Sequence, residues 1–239
     1  MNKIFYLVIA LLMISKISSQ NKKLTLYYPD STKVVNITGL DSMVIFICGE
    51  SKVSYTGKDY NTVLIGDQCW LKENLDIGTR IDGNQEPTNN SAIEKHCYND
   101  DPANCTTYGG LYHWNEAMQY VTNEGTQGIC PPGWHIPTYA EFQTLSTTVN
   151  YDGNRLKAIG QGGGGGAGTN TSGFSALLAG YRNYTGGNFS ALGSHARFWS
   201  STESNASDTY DLILFSTESN IYLHSNYKDY GFSVRCIKD

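Results

Sequence analysis

Six cysteines, five histidines and one stretch of aromatic, amide and guanidinium side chains are the groups with the most chemistry in this sequence. Cys48, Cys69, Cys97, Cys105, Cys130 and Cys236 form an even set. Zinc would ask for CxxC pairs or closely spaced His ligands. No CxxC occurs, and His96, His113, His135, His195 and His224 show no such spacing. The sequence therefore predicts disulfides, with no metal and no cofactor. Six cysteines allow fifteen pairings. Cys97 and Cys105 flank the turn-rich stretch 98–104, which makes them the natural local pair. Cys130 introduces Pro131-Pro132-Gly133 and Cys236 lies in the final strand-like run, so a bridge between them would tie the start of the core to its end. Cys48 and Cys69 are then left to each other.

The second group is the Gly-rich stretch 180–189, which carries Tyr181, Arg182, Asn183, Tyr184 and Asn188. Aromatic faces beside amide and guanidinium donors suit flat polar ligands such as sugars or peptides. Trp199 and Glu203, on either side of Ser200-Ser201-Thr202, complete the candidate ligand-binding set. Local packing of a surface loop is the competing account of the same residues, and a core position is open to each of Trp70, Trp114, Trp134 and Trp199. Ser, His and Asp occur in no nucleophile-elbow pattern, so no catalytic residue is assigned. The glycine run 162–166 lacks the Lys-Ser/Thr of a phosphate-binding loop and is read as a flexible loop. Arg235, near the end of the chain, is paired on paper with a buried acid such as Asp211.

Composition sets the frame for these groups. With 40% hydrophobic and 16% charged residues, 239 residues are enough for a packed core and too apolar for a disordered chain. Seventeen Lys and Arg against 22 Asp and Glu give a formal charge of −5. That balance, with no basic cluster, argues against nucleic acid as a partner. At the start, Lys3 precedes the apolar run 4–14, and small polar residues follow to Ser19. This is the layout of a signal peptide, read as residues 1–19. The run would reach only ~16 Å as a helix against ~30 Å of hydrocarbon, so no membrane span is expected after cleavage. Export to an extracellular, surface-associated or periplasmic location follows.

The elements come next. Residues 24–28, 34–37 and 43–47 read as short strands of a β-rich appendage over 20–50, and the polar stretch 51–56 as a linker. Residues 62–65 and 68–71 around Gly66-Asp67 read as a hairpin, and 78–108 as mostly loop. Leu111, Trp114, Ala117, Met118 and Val121 recur at three- and four-residue steps and predict a helix starting near Gly110. Thr138 followed by Glu141 is a capping-box pattern that predicts a second helix carrying Phe142, Leu145 and Val149. Strands are expected over 174–178, 197–200, 210–215, 220–224 and 232–237. Helices before strands, without alternation, indicate an α+β fold with a mostly antiparallel, loop-rich sheet.

Five separated stretches also resemble a known family. Thr62–Leu75, Cys97–Cys105, Tyr108–Tyr112, Cys130–Pro137 and Gly231–Ile237 are together similar to the Fibrobacter succinogenes major paralogous domain, over residues 51–239. The resemblance implies a secreted or surface module of bacteria and brings no shared catalytic activity. More broadly, the order of Trp114–Ala117, the turn at Pro137, Glu141-Phe142, Trp199 and the terminal cysteine strand resembles C-type-lectin-like domains, whose whole-domain disulfide a Cys130–Cys236 bridge would match. In calcium-binding lectins of that fold, a Glu-Pro-Asn or Gln-Pro-Asp triplet and a Trp-Asn-Asp triplet supply oxygen ligands. Here the counterparts are Glu86-Pro87-Thr88 and Trp114-Asn115-Glu116, so that route to sugar is not expected. The function expected is an exported, noncatalytic module that holds glycan such as polysaccharide, peptide or another surface protein through its C-terminal loops. The alternative is an oxidative enzyme related to formylglycine-generating enzymes, which share the lectin-like architecture and need a free cysteine pair for copper.

Overall fold

A computed structural model describes residues 23–28, 31–36 and 46–239. The expected signal peptide, residue 37 of the second expected strand and residues 43–45 of the third lie outside the described residues. The chain divides into two compact units, Met1–Phe46 and Ile47–Asp239. In the first, β1 (Lys23–Tyr28) and β2 (Ser31–Asn36) pair antiparallel, with Tyr28 opposite Ser31.

The second unit opens with β3 (Lys52–Tyr55) and β4 (Lys58–Ile65). The expected linker is thus a strand. Thr56 and Gly57 both have positive φ, 47° and 83°, as the tightest two-residue hairpins require. The polar side chains of β3 reflect its place at the edge of a sheet. Next comes β5 (Gln68–Leu71), joined to β4 through Gly66-Asp67 as the sequence predicts, with Ile65 opposite Gln68. Two short parallel strands, β6 (Thr79–Arg80) and β7 (Glu94–Lys95), punctuate the following loops.

Three α-helices replace the two expected. α1 (Pro102–Tyr108) lies in the stretch read as loop. Asp101 caps it by accepting from the Ala103 amide, and Pro102 occupies its first turn. α2 (Trp114–Ala117) is a single turn rather than a helix from Gly110 to Val121. Leu111 and Tyr112 form bridges to His96 and Phe232, and Gln119 and Tyr120 adopt positive φ that ends the helix. The apolar stripe is nonetheless real at Leu111, Trp114, Ala117 and Met118, which are all buried, whereas Val121 is exposed. After β8 (Trp134–His135), α3 (Tyr139–Thr148) starts as predicted, with Thr138 and Glu141 forming a reciprocal capping box. Phe142, Leu145 and Val149 are buried, and the Phe142 ring stacks on Trp70 at 5.8 Å.

The C-terminal half contains β9 (Ala179–Arg182), β10 (Phe189–Leu192), β11 (His195–Glu203), β12 (Asp208–Phe215), β13 (Ile221–Tyr227) and β14 (Ile237–Lys238). The expected strand over 174–178 is reduced to a bridge between Ala176 and Lys157. β9 and β10 form a hairpin, β11–β12–β13 an antiparallel sheet, and β3–β4–β5–β14–β8 a five-stranded sheet. Residues 231–238 are the spine that joins these pieces. They exchange backbone hydrogen bonds with Arg182, Tyr112, Arg197 and Trp199, Leu75 and Leu71 in turn. These few helices and mostly antiparallel sheets make the fold α+β.

Three disulfides connect Cys48 to Cys69, Cys97 to Cys105 and Cys130 to Cys236, the pairs read from spacing. All four Trp are buried. The glycine loop is tethered: the buried Lys157 ammonium donates to the carbonyls of Gly166, Phe215 and Glu218 at 2.5, 2.7 and 2.8 Å, so each of its three N–H groups has an acceptor. Arg235 does not meet Asp211. Its guanidinium donates to Asn74 Oδ1 and to the Phe174 carbonyl, while Asp211 pairs with Arg197 at 3.2 Å across β11 and β12.

Candidate functional site

The turn 183–188 between β9 and β10 is where most of the sequence-derived candidates meet. Its foundation is Arg182, which has no exposed surface. Nε donates to the Gly83 carbonyl at 2.8 Å, one Nη to His113 Nε2 at 2.6 Å, and the other to Glu86 Oε1 at 2.5 Å. Because the guanidinium only donates, His113 must accept at Nε2 and carry its proton on Nδ1, which faces Glu86 Oε2 at 3.5 Å. Burial first, then Arg182 and His96, holds His113 down at about 2. Burial and Arg182 likewise lower His96 to about 4, so both imidazoles are neutral at neutral pH. Arg182 therefore clamps the 83–86 segment to the hairpin and is not available to a ligand, which corrects its place among the binding candidates.

This clamp brings Gly83 against Gly187, whose φ is 68°. A Cβ on Gly187 would overlap the Gly83 carbonyl, so only glycine permits the approach. Between the two segments and the turn 98–100 opens a cleft of about 460 Å³. Its polar walls are Asp82, Asn84, Asn99, Asp100 and Asn188, and Phe189 supplies a ring that packs on Tyr98 at 5.4 Å. The Cys97–Cys105 bridge lies beside the turn that carries Asn99 and Asp100, both at positive φ. Arg80 pairs with Asp82 at 2.6 Å and approaches Asp100 at 3.6 Å, which compensates part of the acidic charge. Among the described residues, the side-chain amides of Asn84, Asn99 and Asn188 have no hydrogen-bond partner. Each offers two donors and an acceptor to whatever enters.

On the other side of the turn stands a cluster of tyrosines. Tyr184 and Tyr227 are the most exposed, at 43% and 48%, with ring centroids 5.0 Å apart. Tyr184 also meets Tyr230 at 4.8 Å, and Tyr230 meets Tyr181 at 5.8 Å. Beneath them the Arg197 guanidinium lies 4.4 Å from the Phe232 ring and 5.4 Å from Tyr181. Its charge is answered by Asp211, which is buried enough to be pushed up to about 6 despite Arg197 and a 2.6 Å hydrogen bond from Asn226.

The remaining candidates separate. Asn183 braces the turn by donating to the Asn188 carbonyl and Ser190 Oγ. Trp199 is completely buried, its indole N–H donating to the Tyr112 carbonyl at 2.7 Å, so it belongs to the core and not to a ligand surface. Glu203 binds the Lys228 ammonium, which sits 4.4 Å over the Trp114 ring, and so closes the 203–208 turn. Asp82, Asn84, Asn99, Asp100, Tyr227 and Tyr230 were not foreseen. They come from three distant stretches, and no local pattern links them. Among the described residues, no group of three or more His, Cys, Asp or Glu side chains converges on a point that could hold a metal.

Fold and site together define a disulfide-bonded α+β domain with a polar cleft and an aromatic cluster sharing one hairpin turn. The chain belongs to the Fibrobacter succinogenes major domain family, whose family model matches residues 63–238. No curated protein and no solved structure matches it.

Proposed function

We propose that this protein is an exported, noncatalytic binding module that holds its ligand over the turn 183–188, and that of glycan, peptide or another surface protein, glycan fits best. The observation that carries the reading is the junction itself: one turn presents Asn188 to a cleft of amides and carboxylates and Tyr184 to an exposed ring pair. Sugars offer hydroxyls to the first and apolar C–H faces to the second. Three disulfides fit an oxidising compartment outside the cytoplasm. No helix among the described residues is long and apolar enough to cross a membrane. The C-type-lectin-like architecture is part of the same proposal, supported by the long Cys130–Cys236 bridge and by loops gathered in the C-terminal half. An oxidative role like that of formylglycine-generating enzymes would need two thiols for copper, and all six cysteines are paired.

The test is binding of the full chain to insoluble and soluble polysaccharides, compared with Tyr184→Ala/Tyr227→Ala. Both rings are about half exposed, so the variant should keep its thermal midpoint while affinity falls about tenfold or more, as the loss of two stacking contacts implies. Equal binding by both proteins would remove the turn from the reading.

A further inference from the structure

A second cleft, of about 390 Å³, shares no lining residue with the first. Its volume is in the range of small-molecule sites. Arg235 lines it and is only 1% exposed, so it forms the floor. Nε and one Nη donate to Asn74 Oδ1 at 3.1 and 2.5 Å, and the other Nη donates to the Phe174 carbonyl. Asn74 is itself fixed, because its Nδ2 donates to the Tyr108 carbonyl at 2.8 Å and to Ser233 Oγ at 3.2 Å. These bonds leave one N–H on each terminal nitrogen of the guanidinium. Every acceptor is neutral. Arg182 and Arg197 are answered by Glu86 and Asp211, but among the described residues no carboxylate pairs with Arg235. A buried charge without a countercharge is costly. Burial pulls this one down to about 9, which still leaves it cationic at neutral pH.

We infer that this cleft binds a sugar acid of hexuronate size, with Arg235 holding its carboxylate and Lys58 and Lys72 flanking it. The site is independent of the turn 183–188 and goes beyond the reading given for that turn. Two further cations line the cleft. Lys72 has no acid partner among the described residues. Lys58 lies 4.0 Å from Asp76, whose charge is already taken by Lys95 at 2.5 Å. Glu73 is the one acid of the lining, and Asn61 holds it through N and Nδ2 at 2.8 and 2.7 Å. Three cations against one carboxylate call for an anion. The two unspent N–H groups of Arg235 match the paired oxygens of a carboxylate. A phosphate dianion is the poorer fit, because α1 turns its C-terminal residues Thr106–Tyr108 to the cleft, the negative end of a helix. Thr106 and Thr107 spend their hydroxyl protons on the Pro102 and Ala103 carbonyls at 3.3 and 3.0 Å. Their oxygens are left to accept from ligand hydroxyls. A carboxylate at one end and hydroxyls at the other describe a uronic acid.

The experiment is an NMR titration of the isotope-labelled full chain with galacturonate, glucuronate, galactose and inorganic phosphate. In wild type a uronate should move the amide signals of residues 72–74, 106–109 and 177, and galactose should leave them in place. Lys58→Gln/Lys72→Gln should keep the thermal midpoint and bind the uronate about tenfold more weakly. Arg235→Lys should bind it more weakly as well; should that variant not fold, the lysine pair decides. Tyr184→Ala/Tyr227→Ala should bind the uronate as wild type does, which keeps this result apart from that of the turn 183–188. Absence of binding by both uronates overturns the inference. So does equal binding of galactose, tighter binding of phosphate than of uronate, or uronate binding that the lysine variant leaves unchanged.

Discussion

The bridge between Cys130 and Cys236 should carry more of the fold's stability than either other disulfide. Its half-cystines are 106 residues apart, whereas those of Cys97–Cys105 are eight apart. In the chain-entropy treatment, closing the longer loop restricts the unfolded chain by about 4.8 kcal/mol and the shorter by about 2.5 kcal/mol. Both sulfurs of the long bridge are fully buried in the cluster that holds Trp114, Trp199 and Val234. Alanine therefore keeps the surroundings apolar while removing the bond. The perturbation is Cys130→Ala/Cys236→Ala, with Cys97→Ala/Cys105→Ala as its internal comparison. Urea unfolding followed by tryptophan fluorescence reads it, since all four indoles are buried. The long-loop variant should lose about 2 kcal/mol more than the short-loop variant. Its total loss corresponds to roughly 10–20 °C in Tm for a domain of this size. Equal losses from the two variants, or a larger loss from the short loop, would refute the reasoning.

Acid should weaken the fold through the paired imidazoles beneath the hairpin. His96 and His113 are held at about 4 and about 2, below the ordinary value of 6.5 that the unfolded chain restores. The unfolded state then takes up protons first, so their contribution is full above about pH 6.5 and is lost as pH falls. Between pH 7 and pH 5 each should cost about 2 kcal/mol, and His96→Gln should remove about half of that drop in urea titrations at the two pH values. Arg182→Met should cost about 3–5 kcal/mol, because it strips the donor from Gly83, His113 and Glu86 at once. Thermal denaturation would show it, and a midpoint unchanged from wild type would mean that the guanidinium is not the clamp described.

What could be read in the sequence was local. Thr138 and Glu141 are three residues apart and announce a helix start with their own side chains. Ile65 and Gln68 flank a turn that specifies its own hairpin. The cysteine pairs followed from where turns and terminal strands fell. α1 also had a local signal, Asp101-Pro102, which was masked by the turn-rich composition of the stretch around it. The helix from Gly110 failed for a different reason. Its periodic apolar residues are buried, but Leu111 and Tyr112 gain more from bridges to His96 and Phe232 than from continuing a helix. The site was only half legible. Tyr184 and Asn188 share one turn and could be found together, whereas Asp82, Asn99 and Tyr227 reach that turn only through tertiary packing. Arg182 looked like a ligand donor because nothing local reveals that Gly83, His113 and Glu86 will enclose it.

The place of β14 has a consequence for the export proposed above. Ile237 lies between Trp70 and His135, so the most C-terminal strand of the domain is an inner member of its sheet. β14 is the hydrogen-bonded neighbour of both β5 and β8 and so joins the two parts of the sheet. A chain threading through an export channel from its N-terminus would thus emerge with its two sheet halves apart. Under that proposal, closure would wait for residues 231–238 to clear the pore, and the oxidation of Cys236 would wait with it. Delay of this kind would keep the polypeptide loose during translocation without a separate inhibitor of folding.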